Sequence, residues 1–126
     1  YNGQFIPALT YAKYNRLFKL KAEYEAAISV SVTYTTVGGI EKVYQADEIS
    51  RYNVIAMNLA YKDGTPEGFY WKSEDNTKVT PFTNVDLTKK KKTIGDQGFV
   101  AFNKADGLKT AILMCTTIEE VQAIIW

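Results

Sequence analysis

Apolar residues recur along the chain with two different periods, and the change between them marks the elements. From about Thr10, the residues Leu17, Leu20, Tyr24 and Ala27 fall at 3-4-3 spacing and line one face of a helix. Lys13, Arg16, Lys19, Lys21, Glu23 and Glu25 occupy much of the remainder. Ahead of this helix, residues 1–9 read as an arm: Gly3 and Pro7 break regularity, while Tyr1, Phe5, Ile6 and Leu9 need burial on the home domain or on a partner.

The period then becomes two. SVSVTYTTVGGIEKVYQAD is β-branched and aromatic, and Gly38-Gly39 suits a two-residue hairpin turn. That turn places Tyr34 opposite Val43 and Val32 opposite Gln45. Asp47 caps a second helix over about Glu48 to Lys62, closed by Asp63-Gly64.

A second hairpin follows in WKSEDNTKVTPF, Trp71 to Phe82. A three-residue tip at Asp75 to Thr77 sets Glu74 against Lys78 and Ser73 against Val79. It also gathers Phe69, Trp71 and Val79 on one face. Thr83, with Asp86 three residues on, caps a long helix of roughly Asn84 to Cys115. Its stripe of Ile94, Gly98, Ala101, Ala105, Leu108, Ile112 and Cys115 predicts packing along the first helix, with small residues permitting close approach. Gly95 to Gly98 is a candidate kink. Thr116 or Thr117 caps a short last helix.

The predicted fold is therefore α+β: a long antiparallel helix pair packed on two β-hairpins that form one small antiparallel sheet, with a short middle helix and a short C-terminal helix. The expected organisation is an arm over 1–9 and a single domain over 10–126.

Composition narrows the function classes. With 126 residues, 46% hydrophobic and 23% charged, the chain can bury a core without staples. A net charge of +1 gives no global pull toward nucleic acid or membrane, and neither partner is expected. One cysteine, Cys115, excludes an internal disulfide and reads as a small core residue. The chain opens at Tyr1, so either an initiator was removed or this is a segment of a longer protein.

Candidate chemistry is sparse. The absence of histidine removes the commonest general base and metal ligand, and no cofactor or metal site is expected. Asp47-Glu48, Glu74-Asp75 and Glu119-Glu120 are adjacent carboxylates, which point apart and suit caps and turns better than acid–base work. Lys89 to Lys92 sweep about 300° of a helix and read as a solvated turn, with an anionic contact as the alternative. No enzymatic activity is expected.

The ordered elements Ala46-Asp47-x-x-Ser50, Trp71-x-x-x-Asp75-Asn76, Val79, Asp86-Leu87, Leu108-Lys109-x-x-Ile112 and Thr117-x-Glu119-Glu120-Val121-x-x-Ile124-x-Trp126 carry a resemblance. Together they resemble an uncharacterised domain family of bacteriophages and prophages, found in tail proteins and at the C-terminus of tail fibre proteins. The resemblance spans about Leu20 to Trp126; the arm and the lysine run lie outside its pattern. It implies a non-enzymatic structural or adaptor component of a phage tail, baseplate or fibre. Such a component would be made in the host cytoplasm and carried in the virion. Its partners would be other tail or fibre proteins, in several symmetric copies. Phe5, Ile6, Leu9 and Tyr11 are the expected partner-docking residues, chosen for apolar density. A tail-fibre assembly chaperone and a host-surface carbohydrate-binding module are the alternatives.

Overall fold

Helix α1, Ala8–Ile28, starts directly after a proline whose carbonyl accepts from the Tyr11 N–H, in a computed structural model that describes residues 7–126. Proline is tolerated there because the first helical N–H groups have no intrahelical partner. The last residues assigned to the arm thus belong to the helix. The remaining elements are β1 (Val32–Thr35), β2 (Glu41–Tyr44), α2 (Glu48–Ala60), β3 (Trp71–Lys72), β4 (Lys78–Val79), α3 (Asn84–Met114) and α4 (Ile118–Ala123). The described residues thus hold four helices and two antiparallel hairpins, the expected α+β class, with two two-stranded sheets in place of the single small sheet expected. The hairpins form separate ladders, linked by a backbone hydrogen bond from Glu74 N to Val43 O of 2.8 Å.

Both hairpin registers differ from expectation. In the first, Val32 pairs with Tyr44 and Tyr34 with Lys42, one residue away from the predicted alignment. The Thr36 N–H bonds the Ile40 carbonyl, so three residues, Val37 to Gly39, form the loop, with Gly39 at φ 89°. A one-residue slip exchanges the faces of a strand. Tyr44 and Ala46 therefore go inward with Val32 and Tyr34, and Val43 faces out. In the second, Trp71 pairs with Val79 and Lys72 with Lys78. The three-residue tip is Glu74 to Asn76, with Asn76 at φ 65°, and Ser73 N bonds Thr77 O. This slip is an even number of residues, so Trp71 and Val79 still share a face. Glu74 does not meet Lys78; its carboxylate accepts from the Ser31 hydroxyl at 3.0 Å.

The described chain forms two compact units, residues 28–99 and residues 100–126 with the N-terminal stretch up to Ala27. The first is organised around a cluster of Val32, Tyr34, Tyr44, Ala46, Val54, Val79, Phe82, Leu87 and Ile94. Its rings meet edge to face or stacked: Tyr34–Phe82 at 6.2 Å, Tyr44–Phe82 at 6.1 Å and Trp71–Phe82 at 5.7 Å between centroids. Such pairs contribute about 0.5–1.5 kcal/mol each beyond area burial.

In the second unit Leu20, Ala101, Ile112 and Val121 are buried. Lys13 Nζ donates to Leu113 O at 2.8 Å, and Arg16 Nε to Ile124 O at 2.7 Å. These cations satisfy carbonyls left free where helices end. Lys13 thus meets the end of α3, while Leu17, Leu20 and Tyr24 line a groove with Phe102, Ala105 and Lys109, further back in α3, so within this unit α1 and α3 run in opposite directions. Every member of the predicted α3 stripe is buried or half-buried. The glycines are not there for close approach, since a methyl group at Gly95, Gly98 or Gly107 would meet nothing within 4 Å. The helix also runs unbroken through Gly95 to Gly98.

Candidate functional site

Of the carboxylates singled out by sequence, Asp47, Glu74, Asp75 and Glu120 are held by backbone, hydroxyl or lysine donors. Asp47 caps α2 by accepting from Ser50 N at 2.8 Å. Thr117 and Glu120 form a reciprocal box at the start of α4. Asp75 accepts from the Ser73 hydroxyl, from Thr77 N and from Lys42 Nζ, and these donors hold its carboxyl well below the usual range. Among the described residues no three His, Cys, Asp or Glu side chains gather as metal ligands, and no helix is long and apolar enough to cross a membrane. Cys115 is free and half-buried at the end of α3, its Sγ 3.2 Å from Ala111 O.

Asp86 does more than cap α3. It is buried, and its two oxygens accept from Tyr34 Oη (2.7 Å), Val37 N (2.9 Å), Thr83 N (2.8 Å) and Thr83 Oγ1 (3.1 Å). Burial alone would raise its pKa. The donors outweigh that and leave it below the ordinary value. Tyr34, desolvated and bonded to Asp86, has its own pKa pushed up. One carboxylate therefore ties the first hairpin and its loop to the start of α3.

The lysine run is not uniformly solvated, contrary to the sequence expectation. Lys89, Lys91 and Lys92 are exposed, and Lys92 pairs with Asp96 at 2.7 Å. Lys90 is only 1% exposed. Its Nζ lies 4.3 Å from the ring centroids of both Tyr44 and Trp71, and 6.0 Å from that of Phe82. Burial pushes its pKa down from 10.5 to about 7, while the ring faces favour the ammonium and act the other way. The Tyr44 hydroxyl, also buried, has no hydrogen-bond partner among the described residues. A perturbed lysine often marks a reactive site, but a reacting amine must be reached by its substrate, and this one is sealed. Lys90 therefore reads as a structural cation in an aromatic box. Counting back along the stripe from Ile94 by four and then three passes through position 90 to Leu87, and that spacing was the available signal.

The expected docking residues separate. Phe5 and Ile6 lie outside the described residues. Leu9 is half-buried in the first turn of α1. Tyr11 is exposed and aligns with Tyr14 and Phe18, the last 79% exposed, as a ridge turned away from the Leu17–Leu20–Tyr24 side. The ridge carries two rings with polar tips and one without, interleaved with Asn15.

A second apolar face was not anticipated. Helix α2 turns Val54 and Asn58 inward. Arg51 is drawn to the same side by Ile28 O, Ala46 O and the Ser29 hydroxyl. The opposite side shows Ile49 (73% exposed), Tyr52 (71%), Ala56 and Leu59 (75%), at 3-4-3 spacing. The sequence signal was that heptad-like spacing, hidden because the inward set is no more apolar than the outward one.

No curated protein and no solved structure matched the chain. A family model did: the domain of unknown function DUF4376 matches residues 11–125. That match covers nearly the whole sequence, and the chain belongs to the DUF4376 family.

Proposed function

We propose that this domain is a non-enzymatic docking component of a bacteriophage tail, baseplate or fibre, carried in the virion beside other tail or fibre proteins. The observation that carries the docking part is the exposed ridge of Tyr11, Tyr14 and Phe18 on α1. Large rings held on a rigid helix present contact area at low entropic cost, and such residues anchor interfaces. The chemistry elsewhere among the described residues supports the same reading. The named carboxylates serve caps and turns, and the one strongly perturbed cation is sealed in a core. The tail setting comes from the ordered sequence elements alone.

The partner surface on this reading is α1 rather than the arm as a whole, with Tyr11 its first ring and Leu9 supporting the helix start. Quantitative mass spectrometry of purified particles from a phage encoding the chain tests the setting. Recovery at a fixed ratio to the tail proteins is expected. Presence in infected cells with absence from finished particles would contradict it and favour an assembly chaperone.

A further inference from the structure

We infer that the outward face of α2 is a self-docking seam on which a second copy of this chain packs antiparallel. The face is built as one half of a helix pair: Ile49, Tyr52, Ala56 and Leu59 have the 3-4-3 spacing at which side chains interlock along a partner helix, and all four are exposed. It is also complementary to itself. Turned end for end about the level of Val54, it sets Tyr52 against Ala56 of the second copy, large against small. The same rotation sets Ile49 against Leu59. A parallel arrangement would instead put Tyr52 on Tyr52 and leave a gap at the paired alanines.

Charge agrees. Between Glu48 and Ala60 the charged residues are Glu48 and Arg51, and Arg51 is held on the inward side by backbone carbonyls. The seam therefore contains no like-charge contact. An antiparallel pair brings Glu48 of one copy to the end where Lys62 of the other emerges, beside Asp63, and sets the two helix dipoles head to tail. A charged or nucleic-acid partner would find nothing on this face to bind.

The seam is one face of a 13-residue helix, about 20 Å long and about 10 Å wide, well short of the roughly 800 Å² per partner of a standard stable interface. The pairing should accordingly be weak in isolation, in the micromolar range, and strengthened where copies are held together. The inference does not depend on the tail assignment and is tested without it.

Sedimentation equilibrium on the 126-residue chain from about 5 to 500 µM reads the result directly. The expected outcome is a mass climbing from 14.2 kDa toward twice that value. Tyr52→Lys and Ala56→Lys, each with helical circular dichroism unchanged, should weaken association at least tenfold, whereas Glu67→Lys outside the helix should not. A single-chain mass at every concentration would overturn the proposal. So would a dimer untouched by either seam substitution. If one seam variant fails to fold, the other and the wild-type mass still decide.

Discussion

Replacing Lys90 with methionine should stabilise the protein, although it removes two ring–cation contacts. The side chain is buried, and its pKa falls from 10.5 to about 7 through desolvation. At about 1.4 kcal/mol per pH unit, that fall corresponds to a cost of roughly 4–5 kcal/mol for holding the ammonium in the core. The Tyr44 and Trp71 faces at 4.3 Å return on the order of 1–2 kcal/mol each. Methionine fills a similar volume with no charge to desolvate, so Lys90→Met should gain up to about 3 kcal/mol near pH 6.

The pH dependence follows from the direction of the shift. Below the folded pKa both states hold the proton and the cost is present in full. Between about 7 and 10.5 the unfolded chain keeps a proton that the native state has released, so wild-type stability rises with pH. The ring faces move the lower edge of that window upward. Tyr34 and Tyr44, both with raised pKa values, act oppositely above about 10, where the unfolded chain ionises and the folded one does not. Urea unfolding of wild type and Lys90→Met at pH 6, 8 and 9.5 isolates the lysine, because other groups cancel in the difference. The advantage of the variant should be largest at pH 6 and shrink by pH 9.5. A variant less stable than wild type at pH 6, or a difference that does not change with pH, would refute the reasoning.

Three further predictions are local. Asp86→Ala strands the Tyr34 hydroxyl and the Val37 and Thr83 N–H groups and should cost about 3–5 kcal/mol in chemical denaturation, with Asp86→Asn losing less. Its lowered pKa also means that this stabilisation is complete above the ordinary aspartate value and is lost as pH falls through the folded one, which an acid titration of wild type against Asp86→Asn reads out. Gly95→Ala and Gly107→Ala, at exposed helical positions with open space for a methyl group, should each raise stability by about 1 kcal/mol. Tyr44→Phe removes a buried hydroxyl without a partner and should be neutral to stabilising by about 1 kcal/mol at neutral pH in the same assay.

The elements written in local chemistry were legible in the chain. Asp47, Thr83 with Asp86, and a threonine at 116 or 117, which the structure resolves as Thr117 boxed with Glu120, each announce a helix start through side chains that reach only three residues. The α3 stripe was readable because burial repeats every turn or so over many residues. The hairpin registers were not, because two adjacent glycines fit a two-residue or a three-residue loop equally well. The choice rests on whether Tyr44 or Val43 completes the ring cluster with Tyr34 and Phe82. Asn76 rather than Thr77 ends the second tip because it adopts the positive φ. Lys90 was masked by its neighbours: four consecutive lysines look solvated, and only a box assembled from β2, β3 and Phe82 turns one of them inward. The α2 face was hidden by its normality, since an exposed apolar residue gains meaning only when its neighbours on the same face are exposed as well.

The docking role stands most directly on Phe18. Particles assembled with a Phe18→Glu chain, folded as judged by circular dichroism, should carry at least tenfold less of it than particles assembled with wild type, quantified by mass spectrometry against a tail protein. Equal incorporation of the two chains would contradict the account.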